Sequence, residues 1–317
     1  MQKFTVTFYG TRGTRTVCGA KHDEFGGETT CIVVHAGEHT IVFDSGSGIV
    51  NFGKEHVASH YASGASGPLT SHIFHTHCHY DHICGLPYFA PLYIPDSTTR
   101  IYGPRNPLGS FEEAIRRFIH TPYHPVPLYE MEGEVSFAEV REPESAYFLY
   151  GQRDPVIANA KHSDLRSAVP DDSECEVVVH CLRGFSHPKS GVMFYRVEYA
   201  GRSVVIATDT EGYVFGDRRL ATFARGATAL IHDGMYTKQR YVSESLPTQG
   251  WGHSIVESAL LVAEMADVHR VYLVHHDPNH DDAELRDIEQ RAKAHMPHAA
   301  LARDGLKVDL MGLPGAS

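Results

Sequence analysis

The 317-residue chain lacks any C-x-x-C pair, and its six cysteines, Cys18, Cys31, Cys78, Cys84, Cys175 and Cys181, are scattered. That pattern excludes a disulfide-dense secreted scaffold and leaves reduced, half-buried thiols as the expectation. No apolar run approaches the length of a membrane span. The opening stretch MQKFTVTFYG has none of the charged region, apolar core and cleavage site of a signal peptide, so a cytoplasmic protein without membrane attachment is expected. Positive charge is scarce as well: 28 Lys and Arg stand against 39 Asp and Glu, for a net charge of -11. Such a chain as a whole repels polyanions, which argues against a nucleic-acid polymer and leaves room for a small anionic substrate drawn in by bound cations. Composition, at 42% hydrophobic and 21% charged, excludes disorder.

What is present reads as alternating strands and helices. KFTVTFYG is a strand, CIVVHAGEHTIVFDSGSG is two strands joined by a turn at Ala36 to His39, and TSHIFHT is a third segment. After a looser stretch from Gly103 to about Asp172, strands return in CEVVVHCLRG, GVMFYRVEYAGRSVVIATD and ATALIHDG. The looser stretch carries one helix, GSFEEAIRRFI, and is expected to be an elaboration or lid at about 103–172 on a single domain spanning 1–317. In HSIVESALLVAEMA, Ser254 and Glu257 have the spacing of a capping box, and apolar residues recur at helical spacing. His253 therefore stands just outside a helix N-terminus.

The chemistry is concentrated in FHTHCHYDHICG, Phe74 to Gly85. His77 and His79, two residues apart, point to one side of an extended turn, and Asp81 with His82 offers further ligand atoms close by. Imidazole and carboxylate donors suit divalent metals such as zinc, manganese or iron. One cluster cannot close two sites, so further ligands are sought at other strand ends. His187, Asp209 and either His275 or His276 occupy such positions.

Thr76 to His82 reads T-H-C-H-Y-D-H and resembles the T-H-x-H-x-D-H signature of the metallo-β-lactamase-fold hydrolases, with the later His, Asp and His in that superfamily's order. The resemblance implies an α/β fold, a four-layered αββα sandwich with a dinuclear site at one edge. Carried over by position, it implies that His77, His79 and His187 hold one ion, that Asp81, His82 and His275 hold the other, and that Asp209 bridges them. Asp44 matches a residue that orients the cluster. His75 has no ligand role in the signature and is expected to be a polar strand-end residue.

Within the superfamily the chain is similar to the phosphodiesterase branch, which includes tRNase Z and cyclic-nucleotide phosphodiesterases. LIHDGMYT, with His232 and Asp233, and GWGHSIVESA, with His253, resemble two tRNase Z segments, and in the second of these the His assists the leaving group. The resemblance implies two divalent metal ions, zinc first, with Asp81 able to accept a proton and His253, oriented by Asp233, able to donate one. The basic, Gly- and Pro-rich arm with which tRNase Z grips tRNA has no counterpart, so a cyclic nucleotide or other small phosphodiester is the expected substrate. TRGTRTVCGAKHDEFGGETTC resembles the opening of many phosphodiesterase-like members; there Arg12 and Arg15 are expected to be structural before they are phosphate ligands. Other readings are a tRNA 3'-end endonuclease, a lactone or thioester hydrolase using Tyr213, and a non-hydrolytic di-iron oxygen or redox sensor. A homodimer is compatible with the branch.

Overall fold

The computed structural model describes residues 2–65, 67–106, 109–159 and 169–314. Two twisted sheets pack face to face. The first is 7-stranded and runs edge to edge as β15 (Lys307–Asp309), β1 (Phe4–Gly10), β2 (Cys31–Ala36), β3 (His39–Phe43), β4 (Thr70–Phe74), β5 (Thr98–Gly103) and β6 (Glu134–Glu139). The second is 8-stranded: β14 (Ala299–Leu301), β13 (Val271–Val274), β12 (Ala229–Asp233), β11 (Arg202–Ala207), β10 (Val192–Tyr199), β9 (Cys175–Gly184), β7 (Glu144–Leu149) and β8 (Val156–Asn159).

Both faces of the central strands are buried, and the two-residue period of a strand divides their side chains between two cores. On β2, Ile32, Val34 and Ala36 face the second sheet, while Cys31 and Val33 face outward. On β11, Val204 and Ile206 join the same inner core and Val205 and Ala207 turn the other way. The outward face of the first sheet is covered by α1 (Ile49–Ala62) and α3 (Phe111–Phe118), through Ile49, Phe52, Phe111 and Ile115. That of the second is covered by α4 (Arg218–Phe223) and, beyond the short α5 (Lys238–Tyr241), by α6 (Val256–Ala266) and α7 (Asp282–His295), through Leu220, Leu260, Ala263, Leu285 and Ile288. The result is the four-layered αββα sandwich. Among the described residues, none of the helices is long and apolar enough to cross a membrane, and all six cysteines are free thiols.

Each sheet is antiparallel on one side and parallel on the other. β3, β4, β5 and β6 run parallel, and so do β11, β12, β13 and β14. The C-terminal ends of these parallel strands lead into the segments that bear the chemistry, as open α/β sheets commonly arrange it.

Three local outcomes differ from the sequence reading or refine it. Of the segment 103–172, β6 extends the first sheet and β7 and β8 extend the second, so α3 and its flanking turns are what stand outside the sheets; residues 107–108 and 160–168 lie outside the described residues. Capping boxes with both reciprocal hydrogen bonds form at Ser110 and Glu113 of α3 and at Asp281 and Glu284 of α7. Ser254 does not cap α6: the helix begins after Ile255, and the Ser254 hydroxyl donates instead to the Thr210 carbonyl at 2.6 Å.

Candidate metal centre

The turn after β4 leads directly into the short helix α2 (Tyr80–Ile83), and this turn and helix place four of the expected ligands within six residues. One nitrogen each of His77, His79 and His187 lie within 4.8 Å of one another, as do one donor atom each of Asp81, His82, Asp209 and His275. Asp209 stands between the two sets. Its Oδ2 is 3.2 Å from His82 Nε2 and 3.3 Å from His275 Nδ1, while its Oδ1 is 3.9 Å from both His77 Nε2 and His187 Nε2. One carboxylate thus offers one oxygen to each histidine set.

The donor set fits divalent cations by its own chemistry. The Nε2 atoms of His77 and His82 are buried and have no hydrogen-bond partner. Leaving a buried polar atom unpaired costs about 1–3 kcal/mol, a penalty that a metal ligand does not incur. His82 is oriented from behind: its Nδ1 lies 2.8 Å from Asp44 Oδ2, which turns Nε2 toward Asp81 and Asp209, where a bound cation would take the place of its proton. Asp44 is itself held by the backbone N–H and hydroxyl of Thr76, at 2.8 and 2.9 Å.

The electrostatics agree. Burial, then the neighbouring His82, pushes the His77 pKa well below its ordinary value, and burial lowers that of His79 to about 4 and also lowers that of His275. These imidazoles therefore present lone pairs at neutral pH. Burial opposes charge on His82, but Asp209, Asp81 and Asp44 outweigh it and raise its pKa well above the usual range. Burial likewise opposes charge on Asp209, and His275, His82 and His77 overcome it and hold that carboxyl well below its ordinary pKa. The pocket is electronegative where a cation would sit.

Asp44, Asp209 and His275 have left-handed backbones, with φ of 61°, 54° and 62°. Non-glycine residues seldom adopt this region, and when they do they cluster at functional sites. Asp44 and His275 directly follow β3 and β13, and Asp209 comes two residues after β11, so each turns its side chain out of the strand direction.

His253 and Asp233 form a second, buried unit beside the ligand sets, and one donor atom each of His187, Asp209 and His253 lie within 4.8 Å of one another. His253 Nδ1 is 2.7 Å from Asp233 Oδ2, and the other Asp233 oxygen accepts from the backbone N–H groups of Met235 and Ser254, at 3.0 and 3.1 Å. Burial disfavours a charged His253, but Asp233, with Asp209 and Asp81 behind it, prevails and raises its pKa to about 9. Nδ1 is engaged by Asp233, which leaves Nε2 available. His232 turns away and bonds the Asp233 carbonyl at 2.8 Å.

Other sequence candidates lie apart from the ligand sets. His75 bonds Ser45 Oγ at 2.7 Å. Of the paired histidines at the end of β13, His275 faces Asp209 and Asp81, and His276 bonds the Ala302 carbonyl at 2.8 Å. Arg12 is fully buried, and its guanidinium donates to the carbonyls of Gly26, His280 and Asp277; Arg15 is exposed. Tyr213 is 46% exposed on the rim.

Sequence reasoning missed the groups that hold the ligands in place. The backbone N–H of Thr14 donates to Asp81 Oδ2 at 2.7 Å. Gly13 sits so close to the His275 ring that a Cβ there would lie 2.3 Å from its Cδ2. Gly13→Ala is expected to displace that imidazole and weaken zinc binding about 10- to 100-fold, read by equilibrium dialysis; unchanged affinity would separate His275 from the metal centre. Glu211 accepts from the N–H groups of Gly250 and Gly252, at 2.8 and 3.0 Å, and so pins the loop leading to His253. A T-R-G opening and an Asp followed two residues later by Glu were the only signals for these, and neither carries meaning without the fold.

Residues 39–276 match the model of the beta-lactamase superfamily domain. A ribonuclease Z of Gemmatimonas aurantiaca is 25% identical over 285 residues, covering 86% of this chain and 87% of the relative. Among solved structures, human tRNase Z, short form, superposes with a TM-score of 0.55 at 20% identity, covering 96% of this chain and 99% of the other. Yeast PDE1 superposes with a TM-score of 0.61 at 12% identity, covering 98% of this chain and all (100%) of the other. The structural likenesses carry the fold.

Proposed function

Because the chain belongs to the beta-lactamase superfamily, and is a metal-dependent hydrolase of its phosphodiesterase branch, we propose that it cleaves phosphodiester bonds in RNA at a two-metal centre. The observation that carries this is the division of Asp209, one oxygen toward His77 and His187 and one toward His82 and His275. His77, His79 and His187 would hold one divalent ion, Asp81, His82 and His275 the other, and Asp209 both, with zinc the first choice and manganese or iron suited to the same donors. Bound there, such ions lower the pKa of water and offset charge on phosphoryl oxygens.

The protein's own groups supply the rest. Asp81, fixed by the Thr14 N–H, accepts the proton of the attacking water. His253, charged at neutral pH through Asp233, donates from Nε2 to the departing alkoxide, and Asp233 holds the ring in the orientation this needs. His253→Ala is therefore expected to slow cleavage of a diester with a poor leaving group by about 100-fold or more and to spare bis(p-nitrophenyl) phosphate, whose leaving group needs no proton. Equal losses on both substrates would remove His253 from the acid role.

RNA replaces the small phosphodiester expected from the sequence because of the ribonuclease Z likeness over 86% of the chain. The net charge of -11 is an average over the whole surface and does not describe the field at a cleft that holds cations. The missing basic arm favours a second reading, a cyclic nucleotide or similar small diester. Zinc- or manganese-loaded protein assayed on an RNA with an unpaired trailing end and on cyclic nucleotides decides between them: turnover of cyclic nucleotides alone overturns the RNA reading.

A further inference from the structure

Beside the metal centre, the rim exposes apolar surface that a folded chain ordinarily buries. Phe185 is 70% exposed, Tyr213 46%, Val214 83% and Phe215 80%. They come from two segments, one leading into His187 and the other following Asp209, and the hydroxyls of Ser186 and Thr210, 2.8 Å apart, tie these segments together. The two segments share a hollow of about 420 Å3, also lined by Arg218 and Arg219.

The arrangement is built into the backbone. The Gly216 N–H closes a turn onto the Tyr213 carbonyl at 3.0 Å. Phe215 has φ of 65° and Gly216 of 82°, and a Cβ on Gly216 would lie 2.5 Å from Met265 Sδ of α6. The turn is thus seated on the helix with its aromatic side chains outward. Arg219 is braced by both oxygens of Glu142 at 2.8 Å, and its guanidinium carbon lies 5.4 Å from the centre of the Phe185 ring.

Exposed aromatic rings interleaved with arginine are what proteins use to grip single-stranded nucleic acid: the rings stack on bases and the cations meet phosphates. We propose that this rim is the stacking platform for unpaired nucleotides adjoining the scissile phosphate, a grip that serves in place of a basic arm. The proposal rests on RNA being the substrate. Its position favours a substrate strand over a second protein, because the segments that carry it also carry His187 and Asp209. Stacking needs only a few rings and cations at this point, which a chain of net charge -11 can supply locally.

The test compares metal-loaded wild type with the Phe185→Ala/Phe215→Ala double variant. Anisotropy of a fluorescein-labelled oligouridylate gives the Kd, and turnover of bis(p-nitrophenyl) phosphate reports on the metal centre. The expected result is a Kd raised about tenfold or more, with diester turnover unchanged. An unchanged Kd overturns the platform, as does an equal loss in both measurements, which marks the rings as structural. A dimer that becomes monomeric on sedimentation, with Kd unchanged, also overturns it and makes the patch a subunit contact. Wild type that binds the oligouridylate through these rings but cleaves no RNA removes RNA as the substrate and overturns the placing of the rings beside a scissile phosphate, leaving them only a grip on single strands.

Discussion

Asp209→Asn is expected to reduce kcat/KM on any phosphodiester by about a thousandfold or more, and to leave the purified protein with one metal ion per chain or fewer. Asp209 is 1% exposed and is the one carboxylate whose two oxygens reach both histidine sets. Its loss removes negative charge from between His82 and His275 and leaves His82 to Asp81 and Asp44. Asparagine tolerates the left-handed backbone better than most residues, so the fold should survive, and circular dichroism checks that it does. Metal content by elemental analysis and turnover of bis(p-nitrophenyl) phosphate are the readouts. Two ions and full activity in this variant would end the paired-site proposal.

Acid should unfold the protein over a narrow interval below pH 6.5. Burial holds the pKa of His35, His56 and His72 at about 4, and that of His75 and His276 at about 3. Each has a folded-state pKa below the ordinary value of 6.5, so the stability it contributes is complete above that value. As pH falls, the unfolded chain takes up protons that the folded chain refuses, and stability drops. Each such group contributes up to about 1.4 kcal/mol per pH unit, and five together about 7. Domains are stable by about 5–15 kcal/mol, so one to two pH units suffice. Thermal melts from pH 7.5 to 4.5 should show the Tm falling steeply below pH 6.5; a flat Tm down to pH 5 would mean that these histidines are solvated or already charged in the native state.

The parts legible from sequence were those with a local signature. The strands announced themselves through β-branched runs, and T-H-C-H-Y-D-H carried both superfamily and fold because its residues are contiguous. The separation of His275 from His276 needed the structure, because adjacent strand-end residues differ only in which face they take, and the φ of 62° at His275 sets that. Gly13 and Thr14 escaped notice since they act through backbone proximity and an N–H, which no side-chain pattern encodes. Ser254 was misread for the opposite reason: the S-x-x-E pattern was present, but the hydroxyl found a better acceptor in the Thr210 carbonyl. Net charge weighed against RNA, the substrate we propose, although it is a sum over a surface that contacts any substrate only in part.

The left-handed backbones at Asp44, Asp209 and His275 also set a direction of evolutionary drift. Each such residue costs about 1–2 kcal/mol relative to glycine in the same conformation. What the side chain does keeps an aspartate or histidine there. At Asp44 a glycine would strand the Thr76 N–H and hydroxyl and His82 Nδ1, which outweighs the backbone relief, whereas at His275 a glycine would relieve the backbone and give up little but the chemistry. A descendant of this chain that had lost its activity would be expected to carry that history as a glycine after β13, with Asp44 retained.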